Sequence, residues 1–259
     1  MPGDILLARD DTIATVTLSN PERLNALGLP MWEKLGEIMI DLDADAALRC
    51  IVLRGAGEKA FGAGADISEF STTRANSKLA KQYGLRVERA MRAISECRHP
   101  TVAMIRGACV GGGLLVASRC DIRIAGESAR FGVPVKKLGL VESHVEMQGM
   151  LDLMGRANGL EMILEGRIWG AAEAYEKGLV NRVVPDADVE REALATAGRI
   201  SEGAPLVARW HKKFARRLAD PSPLTEAERD EAFACFDTED FREGVAAFLA
   251  KRTPQFKGR

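Results

Sequence analysis

The chain has 259 residues, with 36 lysines and arginines against 37 aspartates and glutamates, a formal charge of -1 at pH 7. Hydrophobic residues make up 46% and charged residues 28%, the balance of a soluble globular protein, at a length that suits one large domain or a large domain with a small appendage. A charge this close to zero argues against a dedicated nucleic-acid binder, and no apolar run reaches the roughly 18 residues of a membrane span. Two features are less ordinary: 25 glycines, and only 5% aromatic residues. Glycine at this level marks either flexible linkers or positions where the backbone must turn tightly or meet a ligand.

The first twelve residues are too short and too acidic for a signal or transit peptide. Cys50, Cys97, Cys109, Cys120 and Cys235 form no CxxC pair, and an odd, patternless count points to a reducing compartment, the cytoplasm. Residues 12–19 alternate β-branched and apolar residues, as a half-buried strand does. Leu29, Trp32, Leu35, Ile38, Met39 and Leu42 then recur at helical spacing, with Pro30 in the first turn, where it is tolerated. Residues 49–54 and 101–106 are short continuous apolar runs, the pattern of strands buried on both faces, and 121–125 is a further short strand. Between them Leu79, Tyr83, Val87, Met91 and Ile94 form a helical stripe that stops before His99 and Pro100. This alternation predicts crossover units of an α/β fold. From about residue 186 the periodicity is helical: Pro205 starts a stripe of Leu206, Trp210, Phe214 and Leu218. The basic face of that helix (Arg209, His211, Lys212, Lys213, Arg216, Arg217) and the acidic segment 226–231 read as solvated or mutually complementary faces. The expected organisation is an α/β core over residues 1–190 and a helical C-terminal domain over 191–259.

Several chemistries fail on spacing. Gly62 and Gly64 lack the third glycine of a dinucleotide fingerprint, since Ile67 stands there, and there is no P-loop. Gly126-Glu127-Ser128-Ala129-Arg130 misses the last glycine of a nucleophile elbow. His99, His144 and His211 do not stand at metal-ligand spacing, so no metal is expected. Two glycine loops remain, each after a buried strand: Phe61-Gly62-Ala63-Gly64-Ala65-Asp66-Ile67, and residues 107–113, which end in Gly111-Gly112-Gly113 and run into a helix. A triple glycine at a helix start leaves bare N–H groups at the positive end of the helix dipole. One amide from each loop could hold a developing oxyanion; close packing of helix on strand is the other explanation.

These loops resemble those of the crotonase (enoyl-CoA hydratase/isomerase) superfamily, and the resemblance runs nearly end to end. It includes Ser19-Asn20-Pro21 with Asn25-Ala26-Leu27, both glycine loops, Cys120-Asp121-Ile122-Arg123, Phe131-Gly132, Leu138-Gly139-Leu140, residues 174–185, and the tail from Glu243 to Phe256. It implies a spiral of ββα units with a small helical C-terminal trimerisation domain, in a homotrimer or dimer of trimers. It also implies an acyl-CoA thioester as substrate, with no cofactor beyond that coenzyme A. By position the oxyanion amides are those of Ala65 and Gly112, while Ala63, Ile67, Leu115 and Val135 line the substrate site. Arg23 falls near the CoA phosphates, and Phe248 and Lys251 match residues that reach the adenine end of a neighbour's CoA in family trimers. Asp66 and Glu69 have the spacing of a capping box, a structural role.

The sequence departs from the hydratase pattern at two points. A hydratase of this family uses two glutamates, and the matching positions here hold Leu115 and Val135, which can neither activate water nor carry a proton. In Val141-Glu142-Ser143-His144-Val145-Glu146 some non-hydratase relatives place a catalytic carboxylate, which makes Glu142 the candidate acid/base and His144 the second. The competing explanation is a capping box of Ser143 with Glu146, which leaves Glu142 a surface residue. The expectation is an enolate-forming lyase or isomerase rather than a standard hydratase. A non-catalytic acyl-CoA-binding protein and a thioester hydrolase are the alternatives. The polar stretch 71–78 matches a mobile cover over the acyl pocket.

Overall fold

The computed structural model describes residues 3–259. β1 (Asp4–Asp10) and β2 (Ile13–Ser19) form an antiparallel hairpin. In β2 the alternate residues Ala14, Val16 and Leu18 are fully buried, as the period of two requires. α1 (Leu29–Ala44) buries Met31, Trp32, Leu35, Met39 and Leu42. Three turns of one plan follow. The first comprises β3 (Cys50–Gly55), β4 (Ala60–Gly62), the short α2 (Phe70–Thr73) and α3 (Ser77–Glu96). The second comprises β5 (Thr101–Ile105), β6 (Ala108–Val110) and α4 (Gly112–Ser118). The third comprises β7 (Ile122–Gly126), β8 (Arg130–Gly132) and α5 (His144–Glu165). β9 (Trp169–Gly170), α6 (Ala171–Glu176) and β10 (Arg182–Val184) close the core.

The first strand of each turn joins a six-stranded sheet in the order β1-β2-β3-β5-β7-β10, and the second joins a four-stranded sheet in the order β4-β6-β8-β9. Both sheets therefore advance by one parallel strand per turn, which is the ββα spiral that the resemblance implies. Leu53, Phe61, Ile105, Cys109, Phe131 and Trp169 belong to the main core. The opposite face of the larger sheet, with Cys50, Val52, Val102, Met104 and Ile124, is covered by Val189, Ala193 and Ala197. Apolar residues on both faces explain why β3 and β5 read as unbroken apolar runs. The covering side chains belong to α7 (Val189–Ser201), so the expected boundary at residue 190 falls inside a helix that packs on the sheet.

The chain ends in α8 (Pro205–Arg217), α9 (Glu226–Asp230) and α10 (Glu239–Leu249). The basic face of α8 is spent on internal ties. Lys213 pairs with Glu231 and Arg217 with Glu228, the mutual complementarity that the sequence suggests, while Lys212 reaches back to Asp121 at 2.7 Å. All five cysteines are free thiols; Cys50, Cys97, Cys109 and Cys120 are buried, and desolvation pushes Cys50 and Cys120 up to about 12. Among the described residues no helix is long and apolar enough to cross a membrane.

Candidate active site

The spiral brings the two glycine loops into direct backbone contact. A Cβ on Gly113 would lie 2.1 Å from the Gly62 carbonyl oxygen, and one on Gly112 would lie 3.3 Å from the Gly64 carbonyl carbon and 3.1 Å from the Trp32 ring. Gly111, the residue before α4, has φ +49° and ψ -121°, a conformation that needs glycine. Close packing is thus real, and so are the bare amides. Ala63 N–H donates to Leu24, Asp66 N–H to Leu27 and Gly111 N–H to Gly132, each at a backbone carbonyl. Among the described residues no backbone acceptor meets the N–H of Ala65 or of Gly112. Gly112 is the first residue of α4, where a helix has no internal acceptor, and every residue of α4 is buried, so the amide stands in a dry environment.

Both amides border a cavity of about 140 Å³, and the structure gathers Ala63, Ala65, Ile67, Gly112, Leu115, Val135 and Glu142 around it. Glu142 is only 8% exposed. The capping box at the start of α5 does form: Ser143 Oγ accepts from Glu146 N–H at 3.3 Å, and Glu146 Oε2 accepts from Ser143 N–H at 2.7 Å. Its formation does not put Glu142 on the surface. Glu146 also lines the cavity, and Glu142 sits against it. Burial first, then the charge and hydrogen bonding of Glu146, push Glu142 up to about 8, partly offset by the Arg74 guanidinium. A carboxyl held well above the usual carboxylate range thus shares one cavity with Ala65 and Gly112.

The family model for enoyl-CoA hydratase/isomerase matches residues 8–259. The chain belongs to the enoyl-CoA hydratase/isomerase family, the crotonase superfamily. Its relatives include a Mycobacterium bovis protein named "Probable enoyl-CoA hydratase echA8", 38% identical over 258 residues that make up 98% of each chain. A short-chain-enoyl-CoA hydratase of Clostridium acetobutylicum is 32% identical over 260 residues, 99% of each. Among solved structures, an enoyl-CoA hydratase/carnithine racemase from Magnetospirillum magneticum superposes with a TM-score of 0.97 at 50% identity, covering 98% of this chain and 96% of that one.

Within this family member the remaining candidates lie apart from the cavity. His144 is the first residue of α5, exposed and not among the cavity residues. Arg23 lines a neighbouring recess with Asn20, Ser68 and Glu69, and its Nη1 donates to Asp66 Oδ2 and, at 2.6 Å, to Ser68 Oγ. Asp66 caps the turn Ile67–Glu69 by accepting from Ser68 N–H at 3.0 Å. Neither reciprocal bond of the expected box forms: Glu69 N–H donates to the Asp66 carbonyl, and Glu69 Oε2 accepts from Leu29 N–H at 2.8 Å, at the start of α1. Phe248 (83% exposed) and Lys251 stand at the end of α10, away from the cavity. The cavity also contains Trp32 and Phe70, which sequence reasoning missed, and Arg74, from the stretch 71–78 that the resemblance set over the acyl pocket. The stretch 71–78 holds the end of α2 and the start of α3, and its Arg74 guanidinium lies 4.5 Å from the Phe70 ring centre and 4.0 Å from that of Tyr83. The i, i+4 spacing of Phe70 and Arg74 was the one available signal, and it is common on surface helices.

Proposed function

We propose that this protein binds a short acyl-CoA thioester, holds the thioester oxygen with the Ala65 and Gly112 amides, and moves a proton at the acyl chain with Glu142. The observation that carries the proposal is the buried Glu142 carboxyl in one cavity with those two amides. A carboxyl raised to about 8 is suited to both halves of a proton relay near neutral pH. As a carboxylate it takes the α-hydrogen; the C–H electrons pass into the C–C bond, and the carbonyl becomes an enolate whose oxygen the amides stabilise. As an acid it returns the proton at another carbon. Preorganised amides need no reorientation as that charge develops, and removing one such donor costs about 2.7–4 kcal/mol in well-studied enzymes.

This arrangement favours isomerisation, or decarboxylation followed by protonation, over water addition. Leu115 and Val135 stand where the family resemblance places the two hydratase acids, and both line this cavity as aliphatic side chains. In this reading Arg23, beside its recess, would exchange Asp66 for the CoA phosphates. The exposed Phe248 and Lys251 are available to a neighbouring subunit of a trimer, where the family would use them.

A second reading, hydration, is favoured by Glu146, which gives the cavity a second carboxyl, and by relatives that are named hydratases. Incubation with short 2-enoyl- and 3-enoyl-CoA separates the two. Interconversion of the double-bond isomers without a 3-hydroxyacyl-CoA supports the relay, and a 3-hydroxyacyl-CoA as the main product supports Glu142 and Glu146 acting on water. Tight binding with no turnover of a broad panel supports the non-catalytic alternative.

A further inference from the structure

Chemistry at the thioester accounts for the amides and the carboxyl pair of the cavity, and leaves Arg74 with no role beyond its charge effect on Glu142. Its guanidinium lines the cavity, forms no ion pair with a carboxylate among the described residues, and has a buried Nε with no hydrogen-bond partner. Its central carbon lies 4.5 Å from the Phe70 ring centre and 4.0 Å from that of Tyr83, within cation–π range of both. Apart from its hydrogen-bonding contact with the Tyr83 side chain, the fork keeps donors to spare, the buried Nε–H among them, and these match the oxygens of a carboxylate. The two acidic side chains nearby are otherwise engaged: Glu146 with Ser143 N–H, and Glu142 with Glu146. Val87, Leu115, Val135, Leu138 and Leu140 line the same cavity, and Arg74 is half-buried with its Nε out of solvent, so a counter-ion there would offset part of its desolvation. The substrate can supply that counter-ion. Its carbonyl oxygen faces the two amides, and CoA phosphates lie outside a cavity of this size, so the anion must be on the acyl group.

We propose that Arg74 is a specificity residue that selects acyl groups ending in a carboxylate, that is, monothioesters of short dicarboxylic acids. This rests on the acyl-CoA reading above and narrows it. A volume of about 140 Å³, close to the roughly 150 Å³ that accommodates benzene, suits an acyl group of about four or five carbons.

The test is calorimetric binding of succinyl-CoA and butyryl-CoA, matched at four acyl carbons, to the full chain and to Arg74→Met and Arg74→Lys. The wild type is expected to bind succinyl-CoA at least about 10-fold more tightly, as charge-assisted hydrogen bonds warrant. Arg74→Met should bind both within about 3-fold of each other, and Arg74→Lys should keep part of the preference, because it retains the charge and loses the fork. A wild type that is indifferent or prefers butyryl-CoA overturns the inference, as does a preference that survives in Arg74→Met. If Arg74→Met does not fold, the wild-type preference and Arg74→Lys decide. Binding of butyryl-CoA without preference removes only this inference, whereas a folded wild type that binds neither thioester removes the acyl-CoA reading with it.

Discussion

The glycine lining of the cavity and its carboxyl lining are built by different means. Ala63, Ala65 and Gly112 contribute backbone, held by the contact of Gly113 with the Gly62 carbonyl and of Gly112 with Gly64. Phe70, Arg74, Leu138, Leu140, Glu142 and Glu146 contribute side chains from short turns and the first turn of α5. A backbone donor keeps its position as long as the spiral folds, and its strength does not depend on protonation. A carboxyl lining depends on its neighbours: Glu146 raises Glu142, and Arg74 lowers it. The electrophilic half of the site is therefore a property of the fold, while the proton-transfer half can change residue by residue without disturbing the fold. Leu115 and Val135 exemplify that freedom, as aliphatic side chains fully compatible with the packing around them.

That contrast can be broken at either lining. The largest expected effect is that of Glu142→Gln, which should lower turnover of any accepted enoyl-CoA by about 10²–10⁴-fold with little loss of binding, read as kcat against KM. At the glycine lining Gly113→Ala places a methyl 2.1 Å from a carbonyl oxygen, and should cost about 3 kcal/mol in thermal or urea unfolding along with activity. Activity and stability thus fall together at one lining and separately at the other. A smaller change follows from Glu146→Gln. Proton abstraction needs the Glu142 carboxylate, so its rate should rise with pH through a midpoint of about 8 and level off above it. Glu146→Gln removes a neighbouring negative charge and should move that midpoint downward in a pH–rate profile. The same shift carries a stability sign. A carboxyl raised in the folded state favours folding below the ordinary carboxylate range and loses that contribution as pH rises through about 8, so Glu142→Gln should be the more stable protein at pH 9 in thermal unfolding. The smallest effect belongs to His144→Ala, within about 2-fold in kcat/KM, because the ring is exposed at the start of α5.

Legibility in the sequence followed the same division. β2, β3, β5 and β7 were visible as alternating or continuous apolar runs, and α1 and α3 as helical stripes. The second strands of the spiral, β4, β6 and β8, have three residues each and carry no period that could betray them. The glycine loops stood out because a backbone-to-backbone approach excludes every side chain. The carboxyl lining was half legible. Residues 143–146 predicted the capping box correctly, yet the direction of the residue before it is set by tertiary packing, and Glu142 turned inward. At Asp66 a simple cap formed in place of the expected box, because Glu69 found the free N–H of Leu29 across the fold. The resemblance set the stretch 71–78 over the acyl pocket, yet the direction of Arg74 within it was not legible, since Tyr83, which it approaches, lies on the next helix.

The central claim is that the amides of Ala65 and Gly112 and the carboxyl of Glu142 act on one enolate. Exchange of the α-hydrogens of butyryl-CoA with deuterium from solvent, followed by mass spectrometry, tests it whatever the natural acyl group is. The account predicts exchange well above the uncatalysed rate in the wild type, rising with pH through about 8, and its loss in Glu142→Gln. Bound thioester whose α-hydrogens do not exchange, or exchange that is undiminished in Glu142→Gln, would contradict it.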